Sequence, residues 1–284
     1  MCIRDREKTA QDPKFWLEAQ VESPFTYDMQ GMLHFAPDMP NPAPPRFVNG
    51  KRVEPDLEEY PRAVAEVAER VIRAAGGRTL VLCTSWKTVN IVAEHIQATL
   101  GEEYPVYAQA PGEPSAEIAR RFAADPRAVL VGTRTFWTGV SVEGSTCNAV
   151  IIDKMPFPSP SDPVIAARTE RADEGGKGKG FREVSLADGC LTVIQGAGRL
   201  IRTVNDKGAV IICDPRLNPN SPLKKSYAST VLRSLPPFRL VQDHEKVLAA
   251  LGRLDAAALA VEAAAPAEAA GAVNIEAEEA NDEE

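Results

Sequence analysis

Apolar residues recur along this chain in two alternating patterns: short unbroken runs, and runs spaced by three or four. Residues 79–83, 128–131, 148–152 and 209–213 are short, rich in β-branched side chains and apolar at successive positions. That is the pattern of strands buried on both faces. Between them, Asp56-Leu-Glu-Glu opens a stretch in which Val64, Val67, Val71 and Ile72 share one helical face, and Gly76-Gly77 closes it. A second helix is predicted from about Thr88 to Leu100, and a shorter one over 115–123, stopped by Asp125-Pro126. Helices alternating with buried strands predict an α/β domain, a parallel sheet flanked by helices on both faces.

The ends of the chain differ in texture. Residues up to about Val53 are rich in Pro and Met, and Pro37, Pro40, Pro42, Pro44 and Pro45 predict an extended linker wrapping one domain onto another. After about Ala256 the chain is Ala- and Glu-rich without aromatic residues, which predicts a segment helical at first and then disordered. The expected organisation is therefore an N-terminal extension over 1–54, an α/β domain over 55–255 and an acidic tail over 256–284. Formal net charge over the 284 residues is −8, and eight acidic and no basic residues lie after Asp255. The body that is left carries equal numbers of acidic and basic side chains, a balance compatible with a local basic groove for nucleic acid. No run is long enough for a transmembrane helix and no apolar leader opens the chain, so a cytoplasmic protein with no membrane partner is expected.

Candidate chemistry concentrates in two stretches. Gln195-Gly-Ala-Gly-Arg-Leu-Ile-Arg202 places Gln195, Arg199 and Arg202 at helical spacing, with Gly196 and Gly198 open to close approach by another backbone or a phosphate. Arginine presents a fixed fork of donors to phosphate oxygens, so such a stripe suits a polyphosphate. The other stretch follows the strand at 128–131: Gly132-Thr-Arg-Thr-Phe-Trp-Thr-Gly-Val-Ser-Val-Glu-Gly144 has the Gly- and Thr-rich make-up of a ligand loop at a strand's C-terminal end.

In this order these residues resemble the C-terminal motor domain of superfamily 2 helicases, most closely the DinG/XPD-like group. Leu80-Val-Leu-Cys-Thr-Ser85 is similar to helicase motif IV, residues 132–144 to motif V, and residues 195–202 to motif VI, the arginine-finger motif. Ser23-Pro-Phe25, Ile152-Asp-Lys-Met-Pro-Phe157, Ser161-Asp-Pro163, Ala167-Arg168 and Ser234-Leu-Pro-Pro-Phe238 match connecting phrases of the group. The resemblance runs from about Phe15 to Leu251. It implies a RecA-like fold, a helicase C-terminal domain, driven by ATP and Mg2+ and moving on single-stranded DNA. Motif V departs from the group at Thr138 and Ser141, where it usually carries Glu and Asp.

The group's phosphate-binding Gly-x-x-x-x-Gly-Lys-Ser/Thr loop and its Asp-Glu-x-His box belong to a first motor domain, and neither pattern occurs in this sequence. Gly175-Gly-Lys-Gly-Lys-Gly180 follows no buried strand and has no Ser or Thr after its lysines, so it reads as a flexible loop. The expectation is the second half of a larger enzyme whose first half binds ATP and Mg2+ and holds any iron–sulfur cluster. The five cysteines show no ligand-like spacing and are expected to be buried structural thiols. No metal site is expected here, and His34, His95 and His244 are assigned no role.

What the resemblance implies residue by residue stands beside plainer alternatives. Arg199 and Arg202 reach the γ-phosphate of ATP held by the first domain, or form ion pairs within their own. Gln195 positions an arginine or the attacking water, or is a surface amide. Gly139, Ser141 and Gly198 contact nucleotide. Thr84, Ser85, Thr133 and Thr135 bond DNA phosphates or cap the helices that follow them. Trp86 and Trp137 stack on bases or belong to the core, whereas Phe136 belongs to the core. Lys177 and Lys179 touch DNA or are merely solvated. Two functions compete: the C-terminal motor domain of an ATP-dependent DNA helicase, and a free-standing half-motor that binds nucleic acid or a partner without turnover.

Overall fold

The computed structural model describes residues 2–6, 16–20, 23–44, 47–48, 51–52, 54–138 and 147–264. The chain opens with β1 (Cys2–Arg6), β2 (Trp16–Gln20), α1 (Tyr27–Gln30), β3 (Gly31–Phe35), β4 (Phe47–Val48) and β5 (Lys51–Arg52). Then come α2 (Glu59–Ala75), β6 (Thr79–Leu82), α3 (Trp86–Leu100), β7 (Val106–Ala108), α4 (Ser115–Ala124), β8 (Val129–Gly132), α5 (Arg134–Thr138) and β9 (Ala149–Ile152). The remainder holds α6 (Pro163–Glu174), a π-helical turn (Phe181–Ser185), α7 (Leu186–Ala197), β10 (Gly208–Ile212), α8 (Ala228–Ser234), β11 (Arg239–Leu240) and α9 (His244–Ala264).

Seven of these strands form one sheet in the order β11-β3-β10-β9-β6-β8-β7, and every pairing in it is parallel. Successive strand residues feed opposite faces. Leu80, Leu82, Val150, Ile152, Val210 and Ile212 pack with Trp137, Val193 and Leu200 under α4, α5, α7 and α8. Val81, Val131, Ile151 and Ile211 pack with Val64, Ile72, Ile96 and Leu251 under α2, α3 and α9. The parallel sheet flanked by helices on both faces expected from the apolar runs is the fold observed. Helix α2 ends as its glycines require: Gly76 and Gly77 take φ of 66° and 87°, and both amides return to the Ile72 carbonyl.

The N-terminal segment is more than a linker. β3 lies between β10 and β11, registered from Gly31 opposite Gly208 to Phe35 opposite Ile212. Ala36 and Met39, within the Pro-rich stretch, are buried in the α2-side core. His34 disguises this strand in the sequence. Its ring is almost fully buried because Nδ1 meets the Val241 carbonyl at 2.7 Å and Nε2 meets His244 Nδ1 at 3.0 Å.

The Gly/Lys run at 175–180 is a tight turn between α6 and the π-helical turn. The Gly180 amide donates to Asp173 Oδ1 at 2.7 Å, and Gly176 and Gly178 take φ of 138° and 78°. At the other end, α9 runs unbroken through the expected boundary at 255. The rest of the acidic tail, 265–284, lies outside the described residues.

Two truncations test these boundaries. A chain beginning at residue 54 loses β3 from between two strands and is expected to show no cooperative thermal transition. A chain ending at Asp255 should melt within a few degrees of the full chain, because only Ala258 among residues 256–260 is even half-buried. A large drop in melting temperature for the second truncation would mean that the end of α9 is part of the core.

Candidate functional site

Because all seven strands point the same way, side chains just past strand ends gather at one edge of the sheet and those leading into strands gather at the other. The C-terminal edge carries the threonines. Asp153, immediately after β9, is fully buried, and its Oδ2 accepts from both the Thr84 amide and the Thr84 hydroxyl at 2.9 Å. Its Oδ1 accepts from the Lys154 amide at 2.5 Å, and the Tyr60 hydroxyl donates to its carbonyl. Burial pushes the Asp153 carboxyl up to about 6 against the hydrogen bonds that favour its charged form. Beside it, buried Asp214 accepts from the Met155 amide and holds Arg216 through Nε at 2.9 Å and Nη2 at 2.7 Å. One strand further, Gln109 Oε1 accepts from the Thr133 amide at 2.7 Å and its hydroxyl at 2.8 Å.

The hydroxyl protons of Thr84 and Thr133 are thus committed inside the domain, leaving only lone pairs toward solvent, which an anionic phosphate does not seek. Ser85 caps α3: its Oγ accepts from the Thr88 amide at 3.2 Å and lies 2.9 Å from Thr88 Oγ1. Thr135 is exposed on α5, and Trp86, at the first position of α3, is 43% exposed. Phe136 is core as expected. Trp137 is core too, with no exposed surface, although the sequence left it open to stacking on bases.

Arg202 lies toward the other edge, in the turn that leads into β10. Helix α7 ends at Ala197, Gly198 terminates it, and Arg199 and Leu200 continue in tight turns bonded to the Gly196 and Ala197 carbonyls. Gln195, Arg199 and Arg202 therefore do not form one helical stripe. Burial of Leu200 and Ile201 in the core decides where the helix stops and draws the chain inward between the arginines. Gln195 is exposed on the last turn. Arg199 spans from this segment to the motif V helix, donating from Nε at 3.0 Å and Nη2 at 2.8 Å to the Trp137 carbonyl. Partial burial lowers its guanidinium below the ordinary arginine value, and the like charge of Arg202 adds to that. Arg202 lies on a turn whose amide donates to Asp206 Oδ2 at 2.7 Å, two residues before β10.

Gly196 is open to no phosphate. A Cβ there would meet the Trp137 ring at 2.8 Å and Leu82 at 3.0 Å, so its smallness seats α7 on the sheet. Gly198 is freer, since a Cβ would meet only carbonyls of its own helix. Gly139 and Ser141 lie outside the described residues, as does the Thr138 side chain. Cys83, Cys147, Cys190 and Cys213 are free and buried, and burial pushes the Cys147 thiol up to about 12. Among the described residues no cluster of His, Cys, Asp or Glu could hold a metal ion, and no helix is long and apolar enough to cross a membrane. Asp153, Asp206 and Gln109 were not singled out in the sequence. Asp153 could have been, because a carboxylate directly after a buried strand must find donors.

A parallel sheet of this order, flanked by helices on both faces and entered at β10 by an arginine-bearing turn, is a RecA-like α/β fold. The chain belongs to the helicase C-terminal domain family, whose model matches residues 68–238. It is 38% identical over 224 residues to the ATP-dependent DNA helicase YoaA of Escherichia coli (strain K12), covering 78% of this chain and 32% of the relative. It is 35% identical over 246 residues to the ATP-dependent helicase DinG of Mycobacterium tuberculosis (strain ATCC 25177 / H37Ra), covering 87% of this chain and 34% of the relative. The chain thus spans about a third of the length of the curated relatives it matches. A solved structure titled XPD_Helicase superposes with a TM-score of 0.50 at 15% identity, covering 75% of this chain and 36% of that one, a likeness of fold.

Protonation of Asp153 gives a testable signature. Its folded value of about 6 lies above the ordinary 3.8, so its contribution to stability is full below about pH 4 and is lost as pH rises through 6. Asn is isosteric with the protonated acid and does not titrate. Between pH 4 and 7 the stability of Asp153→Asn relative to the parent chain should therefore rise by about 2 kcal/mol, on top of a constant offset for altered hydrogen bonds. Urea unfolding of both proteins across that range checks it, and a gap independent of pH would refute the buried-carboxylate account.

Proposed function

We propose that this chain is the C-terminal motor domain of an ATP-dependent DNA helicase, acting with a first motor domain that binds ATP and Mg2+. The observation that carries the reading is the pair of hydrogen bonds from the Arg199 guanidinium to the Trp137 carbonyl. They tie the end of the motif VI helix directly to the motif V helix. A displacement of either element is thereby passed to the other, which is what a motor coupling nucleotide to nucleic acid requires.

In this reading Arg199 and Arg202 face the triphosphate held by the first domain and stabilise the charge that develops as the γ-phosphoryl group leaves. Gln195, exposed on the last turn of α7, positions an arginine or the attacking water, and Gly139, Ser141 and Gly198 contact the nucleotide. At the opposite edge Trp86, Ser85 and Thr135 offer an exposed ring and hydroxyls to single-stranded DNA, by stacking and by phosphate contact. Thr84 and Thr133 serve the same surface indirectly, by fixing the loops through Asp153 and Gln109. Closure of the two domains around ATP and reopening after hydrolysis would move this edge along the strand.

In an enzyme joining this domain to its first motor domain, Arg199→Ala and Arg202→Ala should each lower the kcat of ATP hydrolysis on the order of a hundredfold, with DNA affinity much less changed. The present chain alone, assayed with single-stranded DNA, should stay at background. Near-normal turnover in both variants, or DNA-stimulated hydrolysis by this chain, would overturn the reading.

A further inference from the structure

Two residues outside every helicase motif hold the turn that carries Arg202. Gln30 is the last residue of α1 and is 6% exposed. Its Oε1 accepts from the Thr26 amide at 3.0 Å. Its Nε2 spreads two protons over three carbonyls, those of Thr203 at 3.0 Å, Val204 at 3.2 Å and Asp206 at 3.0 Å. From inside the same turn, Asp206 Oδ2 accepts from the amides of Arg202 and Thr203, both at 2.7 Å, and its Oδ1 accepts from the Thr203 hydroxyl at 2.9 Å. Six hydrogen bonds from two side chains thus converge on four residues within the span 202–206.

Within the turn itself two longer bonds, from the Asn205 amide to Thr203 Oγ1 and from the Asp206 amide to the Thr203 carbonyl, both at 3.3 Å, add to these. Thr203, Val204 and Asn205 are exposed, so no apolar burial holds them, and exposed connections of this kind open at little free-energy cost. The register of the sheet puts the clamp in place: Gly31, directly after Gln30, sits opposite Gly208, which closes the turn. The segment that looked like a linker therefore delivers its amide to the arginine turn through strand pairing. Electrostatic stabilisation of a transition state depends on charge placed to within about an ångström, and a loosely held guanidinium forfeits much of it.

We propose that Gln30 and Asp206 are positioning residues for Arg202, holding its turn in the geometry needed to meet a triphosphate across the domain interface. The inference rests on the arginine reading given above. It assigns the N-terminal segment a part in nucleotide turnover beyond its place in the sheet.

The test is a double-mutant cycle in the enzyme that joins this domain to its first motor domain. Gln30→Met keeps the length and bulk of the side chain and removes its amide. It should lower kcat about tenfold while leaving KM for ATP within about twofold, and in an Arg202→Ala background it should cost nothing further. Asp206→Asn keeps one acceptor oxygen and should give a smaller loss of the same kind; it decides the matter by the same criteria if Gln30→Met does not fold. A loss of equal size in both backgrounds would show general destabilisation and overturn the proposal. Unchanged turnover in Gln30→Met, beside an impaired Arg202→Ala enzyme, would overturn the clamp alone. Full turnover in Arg202→Ala would remove the arginine reading and the clamp's role with it.

Discussion

Covering a parallel sheet on both faces leaves its strand ends as the only places where polar chemistry can emerge, and the rest of this domain follows from that constraint. Strands β6, β8, β9 and β10 carry almost no exposed surface, so every functional group must leave from a strand end or lead into one. Parallel pairing then sorts those groups. Thr84, Thr133, Asp153 and Asp214 follow strands and share one edge, whereas Arg202 and Asp206 precede β10 and share the other. Arg199, bonded to the Trp137 carbonyl, is the link from the arginine segment to the motif V helix.

Each edge pays for its polar groups internally. Asp153 and Asp214 are carboxylates with no exposed surface, and each is satisfied by backbone amides and one neighbouring side chain. Such groups are costly to bury and costly to disturb, which makes them good fixed points for loops that must hold their shape while a ligand comes and goes. The same logic applies at the arginine turn, where a carboxylate and a buried amide do what apolar packing cannot do for an exposed connection.

Much of the fold was legible because its strands obey the one pattern that sequence reveals well. Runs such as Val129–Gly132 and Ala149–Ile152 are apolar at every position because both faces are covered. β3 escaped notice because His34 interrupts its apolar run, and what makes that histidine acceptable is His244, 210 residues further on. The motif positions were legible as a series, but their local geometry was not. Residue spacing extended the helix to Arg202, whereas burial of Leu200 and Ile201 ends it at Ala197. The Thr84 and Thr133 hydroxyls looked available to phosphate because Asp153 and Gln109 lie 69 and 24 residues away in sequence. Spacing along one element reads faces; it does not read partners.

The central claim is that the arginine turn completes a nucleotide site whose other half lies on a first motor domain. The most direct measurement is a crystal structure of the two-domain enzyme with ADP and a planar metal fluoride that mimics the leaving phosphoryl group. Guanidinium nitrogens of Arg199 or Arg202 are expected within about 3 Å of the fluoride ligands, the distance of a charge-assisted hydrogen bond. Both arginines turned away from the fluoride, each paired with a carboxylate of its own domain, would contradict it.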